Sequence, residues 1–87
     1  INSTNAYYIK QVILEKIKKS DVFLCLIGEH TYKSEWVAWE IEKAKELNKK
    51  IIAVKIEKHY FTPTNLFGIG TKWALDFSKA SILDVIN

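Results

Sequence analysis

The sequence predicts an α/β fold: a parallel sheet flanked by helices on both faces, in three layers. Three observations lead there. The run Val22–Ile27, VFLCLI, is apolar on both side-chain parities, the pattern of a central parallel strand covered on both sides. A second apolar run, IIAVKI at residues 51–56, follows it after a segment of helical periodicity. Strand, helix and strand thus fall within about 35 residues, the length of a βαβ unit with a right-handed crossover.

Each element has its own local signature. Residues 5–19 carry Ile9, Val12, Ile13 and Ile17 at helical spacing, with Ser3, Thr4 or Asn5 able to cap the start. Lys16, Lys18 and Lys19 complement the negative end of that helix. After the first strand, residues 28–33 read as a turn. Ser34 is placed to cap the next helix, Glu35 suits its positive end, and Asn48 suits the left-handed residue that closes it after Leu47. Residues 57–70 form a loop with the only proline, Pro63, and two glycines. A third strand is expected at 73–77, with Trp73 in the core, and a last helix near Lys79–Ile86. This order is that of an α/β layer pattern.

Eighty-seven residues allow one small domain, spanning 1–87. With 48% hydrophobic and 26% charged residues, the composition is that of a soluble globular protein. No run approaches the roughly 18 apolar residues that a membrane-spanning helix needs, and no signal peptide is visible, so no membrane partner is expected. The net charge is +3, yet all 13 basic residues are lysines, and bidentate recognition of phosphate or guanine is chiefly the work of arginine. Nucleic acid is therefore not an expected partner. Cys25 is the only cysteine, which excludes an internal disulfide, fits a reducing cytoplasm, and reads as a buried structural thiol. His30 and His59 have no companions at metal-ligand spacing and read as ordinary loop histidines.

One residue breaks the pattern. With Val37 at zero on a helical wheel, Ile41 falls at about 40°, Ala44 at about 340° and Leu47 at about 280°. Glu35 and Glu42 land at about 160° and 140°, on the solvated side. Glu40 lands at about 300°, inside the apolar arc. Two readings stand for it. Its side chain runs past Leu47 to water or pairs with Lys43 or Lys45, or it faces a cleft beside the sheet edge, partly desolvated. Ligands of such sheets bind outside the carboxyl ends of the strands, where 28–34 and the start of this helix lie.

Residues 20–56 resemble the TIR-like family that includes the ThsB component of Thoeris anti-phage defence. The likeness is carried by the apolar strand ending in Ile27-Gly28, by Thr31 and Ser34, by Trp36-Val37 and Trp39-Glu40-Ile41, and by the strand after NKK. The tail at 62–75, TPTNLFGIGTKWAL, also resembles that family's closing segment. The resemblance implies a flavodoxin-like TIR fold and, in catalytic members, cleavage of NAD at the nicotinamide–ribose bond. The ADP-ribose part is then released by hydrolysis, as in an NAD glycohydrolase, or cyclised into a signalling nucleotide that activates a partner effector. In this family the catalytic glutamate lies in a Trp-Val-x-x-Glu context, which Glu40 matches. Breaking the N-glycosidic bond builds positive charge on the ribose, and a fixed carboxylate in a water-poor cleft stabilises it. NAD is then a substrate rather than a cofactor, and no metal is required.

The resemblance also marks substrate contacts, each with a plainer role beside it. Ser34 contacts substrate or caps its helix, or does both. Thr31 is a ligand contact or a turn residue, and Trp36 a wall of the nicotinamide pocket or a core aromatic. Trp39, at about 200° on the wheel, lies outside the apolar arc and is expected to pack under a loop or a further segment. A complete TIR domain opens with a strand and a substrate-binding loop, and no such strand precedes Ile1 in this sequence. The chain is thus expected to be a fragment of a longer domain. Expected partners are NAD, a second TIR domain, a phage-derived trigger, and an effector reached through the nucleotide product. The competing functions are a non-catalytic TIR-like adaptor or nucleotide sensor, and a flavodoxin-like binding domain. The last is disfavoured because the chain has no glycine-rich phosphate loop.

Overall fold

The computed structural model describes the backbone of residues 4–86 and the side chains of residues 7–86. Helix α1 (Thr4–Lys19) leads into β1 (Val22–Ile27), α2 (Glu35–Glu46), β2 (Lys50–Lys55), β3 (Lys72–Trp73) and α3 (Lys79–Ile86). Single 3₁₀ turns at Thr31–Lys33 and Thr64–Leu66 punctuate the loops. The capping side chain expected among Ser3, Thr4 and Asn5 lies outside the described residues.

The three strands are all parallel, in the order β1-β2-β3. Val22 sits opposite Lys50 and Ile27 opposite Lys55, while β3 adds Lys72 and Trp73 beside Ile52 and Ala53. The architecture is the expected TIR-like α/β sheet, but β1 is not its centre. Among the described residues β2 is the middle strand, buried from Ile51 through Val54, and β1 is an edge. Cys25 and Ile27 are buried on one face of β1, whereas Leu24 and Leu26 on the other are 39% and 44% exposed. Helix coverage explains the difference. Ile17 of α1 and Ile41 and Ala44 of α2 pack with Cys25, Ile27, Ile51 and Ala53 on one face. On the other face α3 packs on β2, where Lys50 Nζ donates to the Ile86 carbonyl at 2.9 Å.

The ends of α2 are set by the residues that the sequence nominates. Ser34 Oγ accepts the Val37 N–H at 3.2 Å. At the other end Asn48 adopts φ 57, its N–H donates to the Lys45 carbonyl (3.0 Å), and the Lys49 N–H reaches back to Ala44 (2.9 Å). This double closure satisfies the last carbonyls of the helix and turns the chain directly into β2. The following loop folds back over α2: Leu66 is buried in the core and Asn65 Nδ2 donates to Glu42 Oε1 at 3.0 Å. Its glycines, Gly68 (φ 73) and Gly70 (φ 77), take left-handed backbone that side chains disfavour.

The third strand is shorter than expected. After the Ala74 N–H bonds to the Ala53 carbonyl, residues 75–78 bend away, and Ser78 Oγ accepts the Ser81 N–H to start α3. The alternation of Trp73, Leu75 and Phe77 imitates a half-buried strand. The short polar side chains of Asp76 and Ser78 offer the backbone a competing turn, and the turn prevails. Trp73 is 42% exposed rather than in the core. No helix among the described residues is long and apolar enough to cross a membrane.

Candidate functional site

Ile41 points straight into the core, fully buried. One residue earlier on the helix, a rotation of about 100° turns Glu40 away from the core centre and towards the free edge of β1. There it lines two adjoining hollows. One, of about 240 Å³, is walled by Ile13, Ile17, Val22, Phe23 and Leu24, with Lys16, Ser20 and Lys49 completing its lining. The other, of about 270 Å³, runs along Phe23, Leu24, Cys25 and Leu26 with Val37. The carboxylate is half-buried among apolar side chains, and burial raises its pKa above the ordinary 4.5.

Among the described residues no hydrogen bond or ion pair compensates it. Lys43 pairs with Glu46 Oε2 at 3.1 Å, and Lys49 Nζ donates to the Lys18 carbonyl at 3.1 Å. Cys25 lies close enough to feel the same charge. Its own burial, reinforced by the negative field of Glu40, pushes the thiol up to about 11. At neutral pH Cys25 is therefore a protonated, inert core thiol, since only the thiolate is a nucleophile.

The other candidates lie elsewhere. Thr31 Oγ1 accepts the Gly28 N–H at 2.8 Å and closes the turn after β1. Ser34 caps α2, six residues and about 9 Å of helix rise before Glu40. Trp36 meets Trp39 edge to face, ring centroids 6.5 Å apart, with Lys10 Nζ 6.0 Å from one ring and 5.5 Å from the other. Trp39 thus packs against α1 through a cation–π contact. None of Thr31, Ser34 and Trp36 lines the hollows that hold Glu40.

Another hollow, of about 240 Å³, opens at the carboxyl ends of β1 and β2. It gathers His30, Tyr32 and Lys33 from one loop with His59, Tyr60 and Phe61 from the other. Sequence reasoning singled out His30 and His59 only as solitary residues. No spacing rule joins them, because the parallel pairing of Ile27 with Lys55 is what makes their loops neighbours. No group of His, Cys, Asp and Glu among the described residues forms a metal-binding cluster.

A three-stranded parallel sheet flanked by helices is consistent with the class of TIR-like α/β domains. The chain matches the family of the Thoeris protein ThsB, TIR-like domain, over residues 1–60, and it belongs to that family of anti-phage defence domains. The matched span takes in α1, β1, α2, β2 and Glu40, and stops at Tyr60, so the likeness expected for 62–75 falls outside it. No curated protein and no solved structure matches the chain significantly.

Proposed function

We propose that the protein cleaves NAD at the nicotinamide–ribose bond, with Glu40 as the catalytic carboxylate. The observation that carries this reading is a half-buried acid, without a compensating hydrogen bond or ion pair among the described residues, in hollows whose walls are largely apolar. The bond between ribose C1′ and the pyridinium nitrogen breaks, and its electron pair leaves with nicotinamide. Positive charge then develops on C1′ and the ring oxygen. Glu40 stabilises that charge and holds the ribose hydroxyls until water, or a nucleophile within the ADP-ribosyl group itself, attacks C1′. The second route yields a cyclic signalling nucleotide that activates a downstream effector in phage-triggered defence.

Shelter decides the size of the effect. A carboxylate about 4 Å from a unit positive charge contributes about 1 kcal/mol in bulk water but about 4 kcal/mol at an effective dielectric near 20. The latter corresponds to about three orders of magnitude in rate. Since the ionised form is required and its pKa is raised, the acid limb of the pH profile is expected above 4.5.

The full-length protein and its Glu40→Gln variant are incubated with NAD and a phage-derived trigger, and released nicotinamide is separated by chromatography. Loss of about 10²–10³-fold in the variant is the expected result. Equal release by both overturns the assignment of Glu40. A second reading, a non-catalytic adaptor acting through TIR–TIR contacts, is favoured by the edge of β1, which no strand among the described residues pairs, with its exposed Leu24 and Leu26. It is supported if no trigger elicits nicotinamide while the protein self-associates with concentration.

A further inference from the structure

We infer that the hollow at the carboxyl ends of β1 and β2 is a subsite for an adenine nucleotide's base and phosphate. The ring walls come first. Tyr32 and Phe61 meet edge to face with centroids 5.1 Å apart, and His59 leans on Tyr60 at 4.7 Å. Tyr32 is 38% and Phe61 66% exposed, so aromatic surface is left open on a concave site. A planar base covers such surface by stacking, at about 1–3 kcal/mol per base. Donors for a phosphate stand beside the rings: Lys33, whose Nζ lies 5.4 Å from the Tyr32 ring centroid, and the imidazoles of His30 and His59. The one carboxylate on the hollow, Glu29, lies 3.9 Å from His30 Nε2 and leaves an acceptor for a ribose hydroxyl.

Size and position narrow the ligand. At about 240 Å³ the hollow is smaller than the roughly 300–1,000 Å³ of sites that enclose a whole ligand, so it takes one ring system with the remainder protruding. The hollows of Glu40 adjoin β1 from Val22 to Leu26, and this one begins at Glu29. From Leu24 to the end of β1 at Ile27 the strand rises by about 10 Å. The paired hollows of Glu40 beside β1 and a further one past its carboxyl end suit a ligand with a ring system at each end. This placement rests on the proposed NAD chemistry: the adenylate end seats at Tyr32 and Phe61 while the nicotinamide–ribose bond lies at Glu40.

AMP is titrated into the ¹⁵N-labelled protein and followed by NMR, with adenosine as the phosphate-free control. Shifts centred on residues 28–33 and 57–61 are expected, with adenosine binding more weakly than AMP. Tyr32→Ala and Phe61→Ala should each weaken AMP by about tenfold or more. Lys33→Ala should weaken AMP but not adenosine, and because Lys33 is exposed this variant keeps the test sound if an aromatic variant misfolds. Glu40→Gln should bind AMP as the parent does. In NAD cleavage Phe61→Ala should raise KM with kcat within about twofold, a loss of uniform binding. Absence of AMP binding by the parent overturns the subsite, as does equal binding by the aromatic variants or shifts centred elsewhere. AMP binding at this hollow without any NAD cleavage upholds the subsite and removes the NAD chemistry.

Discussion

At Glu40 the chain sets a carboxyl group against Ile17, Phe23 and Leu24, and the folded state holds its proton to higher pH than the unfolded chain does. Stability from this group is therefore present in full below the unfolded value and is lost as pH rises through the raised folded one. At neutral pH the ionised side chain opposes folding. Glutamine has the same shape without the charge, so Glu40→Gln is expected to melt at a higher temperature than the parent at pH 7. That gap should close near pH 4, below the ordinary 4.5. Circular-dichroism melts at the two pH values read it directly, and a gap independent of pH would mean that charge burial is not its cause. The oddity of Glu40 was legible before any coordinates, because rotation about a helix axis is local arithmetic. That no lysine among the described residues partners it was not, since Lys43 and Lys49 choose Glu46 and the Lys18 carbonyl only once folded.

Helix α2 carries that residue between two well-defined ends, and its register depends on them. Removing the Ser34 hydroxyl leaves the Val37 N–H without its cap, and Ser34→Ala is expected to cost about 1 kcal/mol in urea unfolding. Ser34→Asp, which retains a capping oxygen, should restore most of it. If nicotinamide release falls far more than stability in the alanine variant and the aspartate does not rescue it, Ser34 touches substrate as well. Both caps of α2, together with the bounds of β1 and α3, follow from residues adjacent in sequence, and these were readable. The third strand was misjudged because Trp73, Leu75 and Phe77 alternate like a strand. Whether a ladder continues past Ala53 is decided by Asp76 and Ser78 competing for the backbone.

The molecule has a radius of gyration of 13.1 Å, with extents of 38 × 26 × 23 Å. That is about the size expected of a 100-residue domain, and among the described residues the sheet is open along β1. Amide exchange should report this asymmetry. β2, paired on both sides, is expected to exchange slowest, while β1 alternates between protected amides facing β2 and fast ones on the free edge. Uniform protection along β1 in solution would show that its edge is covered by another strand.

Periodicity, capping chemistry and the βαβ spacing are short-range properties, so the order of helices and strands, the family likeness and the displacement of Glu40 could all be read from the residues. The edge position of β1 and the meeting of Tyr32 and His30 with Phe61 and His59 could not. They depend on which strands pair and in what register, and that is settled by the burial of Cys25, Ile27, Ile51 and Ala53 against helices contributed from distant parts of the chain.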